Sequence, residues 1–162
     1  MKTKMLQIIL LSLLTFAMSW DVFAQNQAMA KEVACSPVQT KQVQERVQRF
    51  FAARDEFLLN TDDKKLKKQY TDFFPPSKRD LMAASDLVTE AQIRLQGAKS
   101  TRNEISDVKC VRTGKNPSSA TATLLRTHTL HSGSIRTYKL SVQLKFVGAN
   151  LAITEWSTKT QQ

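Results

Sequence analysis

Two periodicities divide the chain. Up to about Gly97, apolar residues recur every three or four positions, the spacing of one helix face. After Gly97 they alternate, as on a half-buried strand. Ser36-Pro37-Val38-Gln39 combines a capping-box serine and glutamine with proline at the first helical position, where its missing N–H costs nothing. From there Val43, Val47, Phe50, Arg54, Phe57 and Leu58 share one stripe, while Gln44, Glu45, Gln48 and Arg49 lie largely elsewhere. This predicts an amphipathic helix ending near Asn60. A short second helix is expected from Thr61 or Asp62, with Leu66, Tyr70 and Phe73 inward and Pro75-Pro76 stopping it. Ser77-Lys78-Arg79-Asp80 opens a third helical stretch, in one piece or in two with a restart at Ser85-Asp86. Leu81, Ala84, Val88, Ala91 and Leu95 repeat along it, and Gly97 caps it.

Four strands are expected, over about 103–113, 119–131, 135–147 and 150–159. Lys115-Asn116-Pro117-Ser118, Ser132-Gly133-Ser134 and Gly148-Ala149-Asn150 separate them. Connections this short make an antiparallel meander. The third strand alternates most clearly, with Tyr138, Leu140, Val142, Leu144 and Phe146 on one face and Lys139, Ser141, Gln143 and Lys145 on the other. A two-residue Ser132-Gly133 turn would put Thr121, Thr123 and Thr127 on the apolar face. A loop of odd length instead aligns Ala120, Ala122 and Leu124 with Phe146, Leu144 and Val142. It separates apolar from polar better and is preferred. It carries Arg126 and His128 inward, near Leu140 and Tyr138, and leaves a Thr- and Lys-rich opposite face. A Gly148-Ala149 turn then puts Leu151 and Ile153 in the core and Trp156 beside Ser141 on the polar face. A one-residue slip of register would return Trp156 to the core. The expected class is α+β, with N-terminal helices packed on one face of a curved four-stranded antiparallel sheet.

Composition narrows the function classes. The 162 residues suit one compact domain with appended tails, and 41% apolar with 23% charged residues argues against wholesale disorder. Four glycines and no GxGxxG or GxxxxGK[ST] string leave no phosphate-cradling loop. Lys2 and Lys4 precede an apolar run from Met5 to Trp20, closed by Asp21 short of the roughly 20 residues that span a bilayer. Val22-Phe23-Ala24 offers small residues at −3 and −1. The expected organisation is therefore a signal peptide over 1–24 cleaved after Ala24, a tail over 25–35 and a single domain over 36–162. Ala28-Met29-Ala30 is a second cleavage site, and an uncleaved anchor is the rival reading, weakened by Gln7 and Ser12. Periplasmic or secreted localisation follows.

Export bears on the two cysteines. Cys35 and Cys110 are expected to form a structural disulfide closing a loop of about 75 residues; a reactive thiol would lack CxxC or an adjacent His. No metal site is expected, because His128 and His131 point to opposite faces of a strand, and no cofactor is expected. Catalysis would need His128 as general base with Asp55, Glu56 or Tyr70 facing it. The blander account makes Arg126, His128 and Tyr138 polar residues at a pocket rim. The net charge of +10 attracts anionic partners. Lys64, Lys65, Lys67 and Lys68 cluster on the short helix, with Lys139 and Lys145 on the sheet. Together with Trp156 they are the candidate interface residues.

The helix Val43–Leu58 followed by strands from Ile105 to Lys159 resembles the nuclear transport factor 2-like (cystatin-like) roll in the order of its elements. The resemblance implies two kinds of function for an exported member, an assembly subunit of type IV secretion or conjugation machines and a carrier of a small apolar ligand or lipid, while enzymatic members of the superfold imply a third, an isomerase or dehydratase. The favoured expectation is the first, a non-catalytic domain acting through protein contacts, homodimerisation across the open sheet face included. An anionic surface or lipid is the next class of partner, and export disfavours nucleic acid.

Overall fold

The computed structural model describes residues 30–84, 94–148 and 150–159. Strand β1 (Lys31–Ala34) precedes helices α1 (Pro37–Leu59), α2 (Lys64–Thr71) and α3 (Arg79–Met82). Strands β2 (Ala98–Thr113), β3 (Asn116–Leu130), β4 (Ile135–Val147) and β5 (Asn150–Lys159) follow.

Helix α1 starts as its sequence dictates. The Gln39 N–H donates to Ser36 Oγ at 3.3 Å, and the Ser36 N–H donates to Gln39 Oε1 at 2.9 Å, so two N–H groups that a helix start leaves unpaired are satisfied reciprocally. Its inner stripe buries Val43, Val47, Phe50, Phe51, Arg54, Phe57 and Leu58. Helix α2 begins slightly later than expected because Asp63 is its cap, with Oδ1 accepting from the Lys65 and Leu66 N–H groups at 2.7 and 3.1 Å. Phe50 is the hub of an aromatic cluster, its ring centroid 4.9 Å from Phe51, 5.8 Å from Tyr70, 5.7 Å from Phe73 and 5.5 Å from Phe74. The third helical stretch is a 3₁₀ turn over Pro76–Lys78 that runs into α3, and residues 94–96 are helical again. Its expected positions Ser85, Asp86, Val88 and Ala91 lie outside the described residues, as does the expected signal peptide.

The sheet has five strands, not four, in the order β1-β2-β3-β4-β5, every neighbouring pair antiparallel. The extra strand comes from the stretch expected to be a tail. Lys-Glu-Val-Ala is too short to show a period, and what fixes it is nonlocal: a disulfide between Cys35 and Cys110, and a 2.7 Å ion pair between Lys109 Nζ and Glu32 Oε1. The disulfide is the pairing expected from the sequence. It argues for a non-cytoplasmic setting, and no helix among the described residues is long and apolar enough to cross a membrane. Strand β2 starts five residues before the expected 103, where Lys99, Ser100 and Arg102 are all exposed and carry no apolar alternation.

Two turns set the registers that matter. Between β3 and β4 the loop is three residues, His131-Ser132-Gly133, with Gly133 at φ +85°. The Leu130 N–H donates to Ser134 O at 2.8 Å and the Gly133 N–H to Leu130 O at 2.9 Å. The expected odd-length loop and buried face are present, but the pairing is offset by two residues. Ala120 faces Leu144, Ala122 faces Val142, Leu124 faces Leu140 and Arg126 faces Tyr138. The offset arises because Gly133, not Ser134, is the last loop residue: its positive φ closes the turn one position earlier on each strand.

The second correction concerns Trp156. Phe146 pairs with Leu151 and Leu144 with Ile153, but a bulge follows, and Gln143 faces Glu155, so Thr154 is the extra residue. Trp156 is thereby moved opposite Val142, onto the buried face, and away from the polar face beside Ser141. The bulge is held from outside. The Ile153 N–H donates to Phe73 O at 2.8 Å, Lys78 Nζ donates to Thr154 O at 2.7 Å, and Thr154 Oγ1 donates to Gln143 O at 3.2 Å. Inward residues of β3, β4 and β5 share one apolar core with α1 and α2.

Candidate functional site

Polar residues converge where α1 crosses the far halves of β3 and β4. The apolar alternation of β3 (Ala120, Ala122, Leu124) continues into Arg126 and His128, which occupy the next two inward positions and are 4% and 5% exposed. A buried guanidinium requires an anion and acceptors, and α1 supplies the anion. Arg126 Nη2 lies 2.7 Å from both carboxylate oxygens of Asp55, Nη1 donates to Asn103 Oδ1 on β2 at 3.2 Å, and Nε donates to His128 Nε2 at 3.0 Å. Three elements are tied together by one side chain.

That network fixes what His128 can do. An arginine nitrogen only donates, so His128 Nε2 carries the lone pair and the other ring nitrogen carries the proton. That proton is donated to the backbone of Arg94. Burial, then the positive charge of Arg126, pushes the imidazole pKa below its ordinary 6.5, so the ring is neutral at neutral pH. Its basic lone pair is already occupied. Asp55 reaches this cluster but faces His128 with Arg126 interposed. Glu56 is exposed, and Tyr70 donates instead to Met82 O at 3.3 Å. The trio in which a base faces one of these partners directly is not assembled.

Beside the network is a partly open cavity of about 150 Å³. Phe51 and Arg54 of α1 form one wall, His128 and Tyr138 another, their rings edge-to-face with centroids 5.4 Å apart. Leu140, Leu95 and Trp156 supply the remaining apolar surface. Arg54 is 8% exposed and lies over the Trp156 indole, with its guanidinium carbon 4.7 Å from the ring centroid. Its approach to Asp55 is 3.6 Å, too long for a hydrogen bond, and the carboxylate is already engaged by Arg126. Burial, then repulsion from Arg126, lowers the pKa of Arg54. The indole Nε1 of Trp156 is also buried and, among the described residues, has no acceptor.

Arg126, His128 and Tyr138 thus come together, with Trp156 joining them on the inner face. The lysines do not. Lys64, Lys65, Lys67 and Lys68 are exposed on α2, Lys68 pairing with Asp72 at 2.6 Å, and Lys139 and Lys145 are exposed on the outward positions of β4. Among the described residues no group of three or more His, Cys, Asp or Glu is placed to hold a metal ion. The sequence pattern put Arg54 on the inner stripe of the first helix but did not mark it, or Asn103, as a site residue, and it offered Asp55 as a partner of His128 and not of an arginine. The signal for Arg54 was its position as the one charged residue on the apolar stripe of α1.

No known protein family matches the sequence, and no curated protein is significantly similar to it. Solved structures do resemble the fold. Aln2 from a Streptomyces species is similar with a TM-score of 0.51 at 14% identity, the match covering 78% of this chain and 94% of that one. A SEC-C motif containing protein from Rhodopseudomonas palustris aligns with a TM-score of 0.46 at 10% identity, over 74% of this chain and 77% of that one. At such identities the likeness concerns the fold alone.

Proposed function

We propose that the protein is an exported, non-catalytic binding domain of the nuclear transport factor 2-like roll type, which holds a small ligand in the cavity between α1 and the inner face of the sheet. The observation that carries this reading is the cavity wall itself: Phe51, Tyr138, Leu140 and Trp156 provide apolar surface around a fixed, fully engaged Arg126–Asp55–His128 network. Small-molecule sites have this composition, mostly apolar with a few positioned polar groups. Catalysis is disfavoured because the imidazole lone pair is bonded to a guanidinium. The carrier reading gains over the assembly reading because Trp156, the aromatic residue that was to anchor a protein contact on the open face, lines the cavity instead.

The helices serve as a lid on one face, and among the described residues the Thr- and Lys-rich face of β3 and β4 is no part of the core they cover. Native mass spectrometry of the protein purified gently from its own compartment tests the proposal. A noncovalent adduct of small mass is expected, and it should vanish in Leu140→Trp, which fills the cavity. A clean apo mass together with no thermal shift from small aromatic compounds would overturn it.

A further inference from the structure

We infer that the ligand is a monoanion, a carboxylate on a single-ring or short branched apolar body, and that Arg54 is the residue that recognises it. The inference rests on the cavity reading above and adds a charge and a size to it.

Charge comes first. Asp55 is one carboxylate between two buried guanidiniums, and it is not shared evenly. Arg126 takes both oxygens at 2.7 Å and directs its other donors at Asn103 and His128. Arg54 keeps only the 3.6 Å approach to Oδ1. Among the described residues its five N–H donors make no hydrogen bond, although the side chain is only 10% exposed and lines the cavity. A largely buried guanidinium whose donors open on a partly enclosed cavity gains from an acceptor that enters it. A carboxylate matches the planar fork of a guanidinium with two parallel N–H···O bonds. Phe51 and Trp156, beside it, present apolar surface and not a second acceptor, and Arg94, which also lines the cavity, adds positive charge rather than an anion.

Size follows from the space. An apolar cavity of about 150 Å³ accommodates roughly one benzene ring, and this one has that volume. The ring or branched chain would lie against Phe51, Tyr138 and Leu140, with its carboxylate toward Arg54 and any longer substituent leaving through the open side.

Isothermal titration calorimetry on the full chain, with benzoate and benzamide as probes, separates the two levels of the account. They share shape and differ in charge. Benzoate is expected to bind at least about tenfold more tightly than benzamide. Arg54→Met should abolish that preference while leaving benzamide binding within about threefold and the melting temperature no lower, since burying methionine relieves a desolvated charge. Arg54→Lys, which keeps the charge and loses the fork, should show an intermediate preference and serves if Arg54→Met misfolds. Equal binding of the two probes, or a benzoate preference that survives Arg54→Met, overturns the monoanion and leaves the cavity as a ligand site. Binding of neither probe overturns both.

Discussion

At the scale of single residues the molecule invests in one polar network, and its members differ in what they tolerate. Among the described residues Asp55 is the carboxylate paired with the Arg126 guanidinium, so Asp55→Asn strands a charge that is 5% exposed. Urea denaturation should show a loss of about 3 kcal/mol. Adding Arg126→Met should recover part of that loss, because the stranded charge goes with it. His128 makes a second prediction, on pH. Its folded-state pKa lies below the ordinary 6.5 and its unfolded-state value near it. Well above about pH 6.5 neither state carries the proton and the contribution is fully present. As pH falls below that value the unfolded chain takes up a proton first, so stability declines until the folded pKa is passed. In His128→Gln, the part of the stability decline below about pH 7 that comes from this ring should disappear.

Elements show where sequence patterns inform and where they stop. Alternation placed Ala120, Ala122, Leu124, Leu140, Val142 and Leu144 on the buried face, and stripe spacing placed Val43 to Leu58 inside α1, because burial selects for residue type at every turn or every second position. Registers were less legible. The glycine at φ +85° in the β3–β4 loop and the extra Thr154 in β5 are single-residue events that leave the composition of a strand unchanged, yet the second one turns a tryptophan inward. Deleting Thr154 should reverse that. In a Trp20→Phe background, the emission of Trp156 is expected to shift to the red as the indole moves to the outer face. Strand β1 was illegible for a different reason, since four residues with no period are ordered by the Cys35–Cys110 bond. Cys35→Ala should release the closure of a 75-residue loop and cost up to about 4 kcal/mol, read as a fall in the urea midpoint.

For the whole molecule, the candidate site was half readable. The inward course of Arg126 and His128 follows from continuing an alternation past the point where its residues cease to be apolar, which is itself a sign of function or of strain. Their partner in the helical layer was narrowed to Asp55, Glu56 or Tyr70 but not singled out, because the crossing of a helix over a sheet is set by the packing of Phe50, Phe51 and Phe57, not by any local pattern. What results is a molecule with two unlike surfaces of one sheet: an inner one that ends in a charged, aromatic cavity, and an outer one rich in threonine and lysine. A ¹H–¹⁵N chemical-shift titration of the full chain with benzoate tests directly which of them meets a ligand. The account predicts saturable shifts confined to Phe51, Arg54, His128, Tyr138 and the Trp156 indole N–H, with Thr121, Thr123 and Thr127 silent. Shifts concentrated on those threonines, or none at saturating concentration, would contradict it.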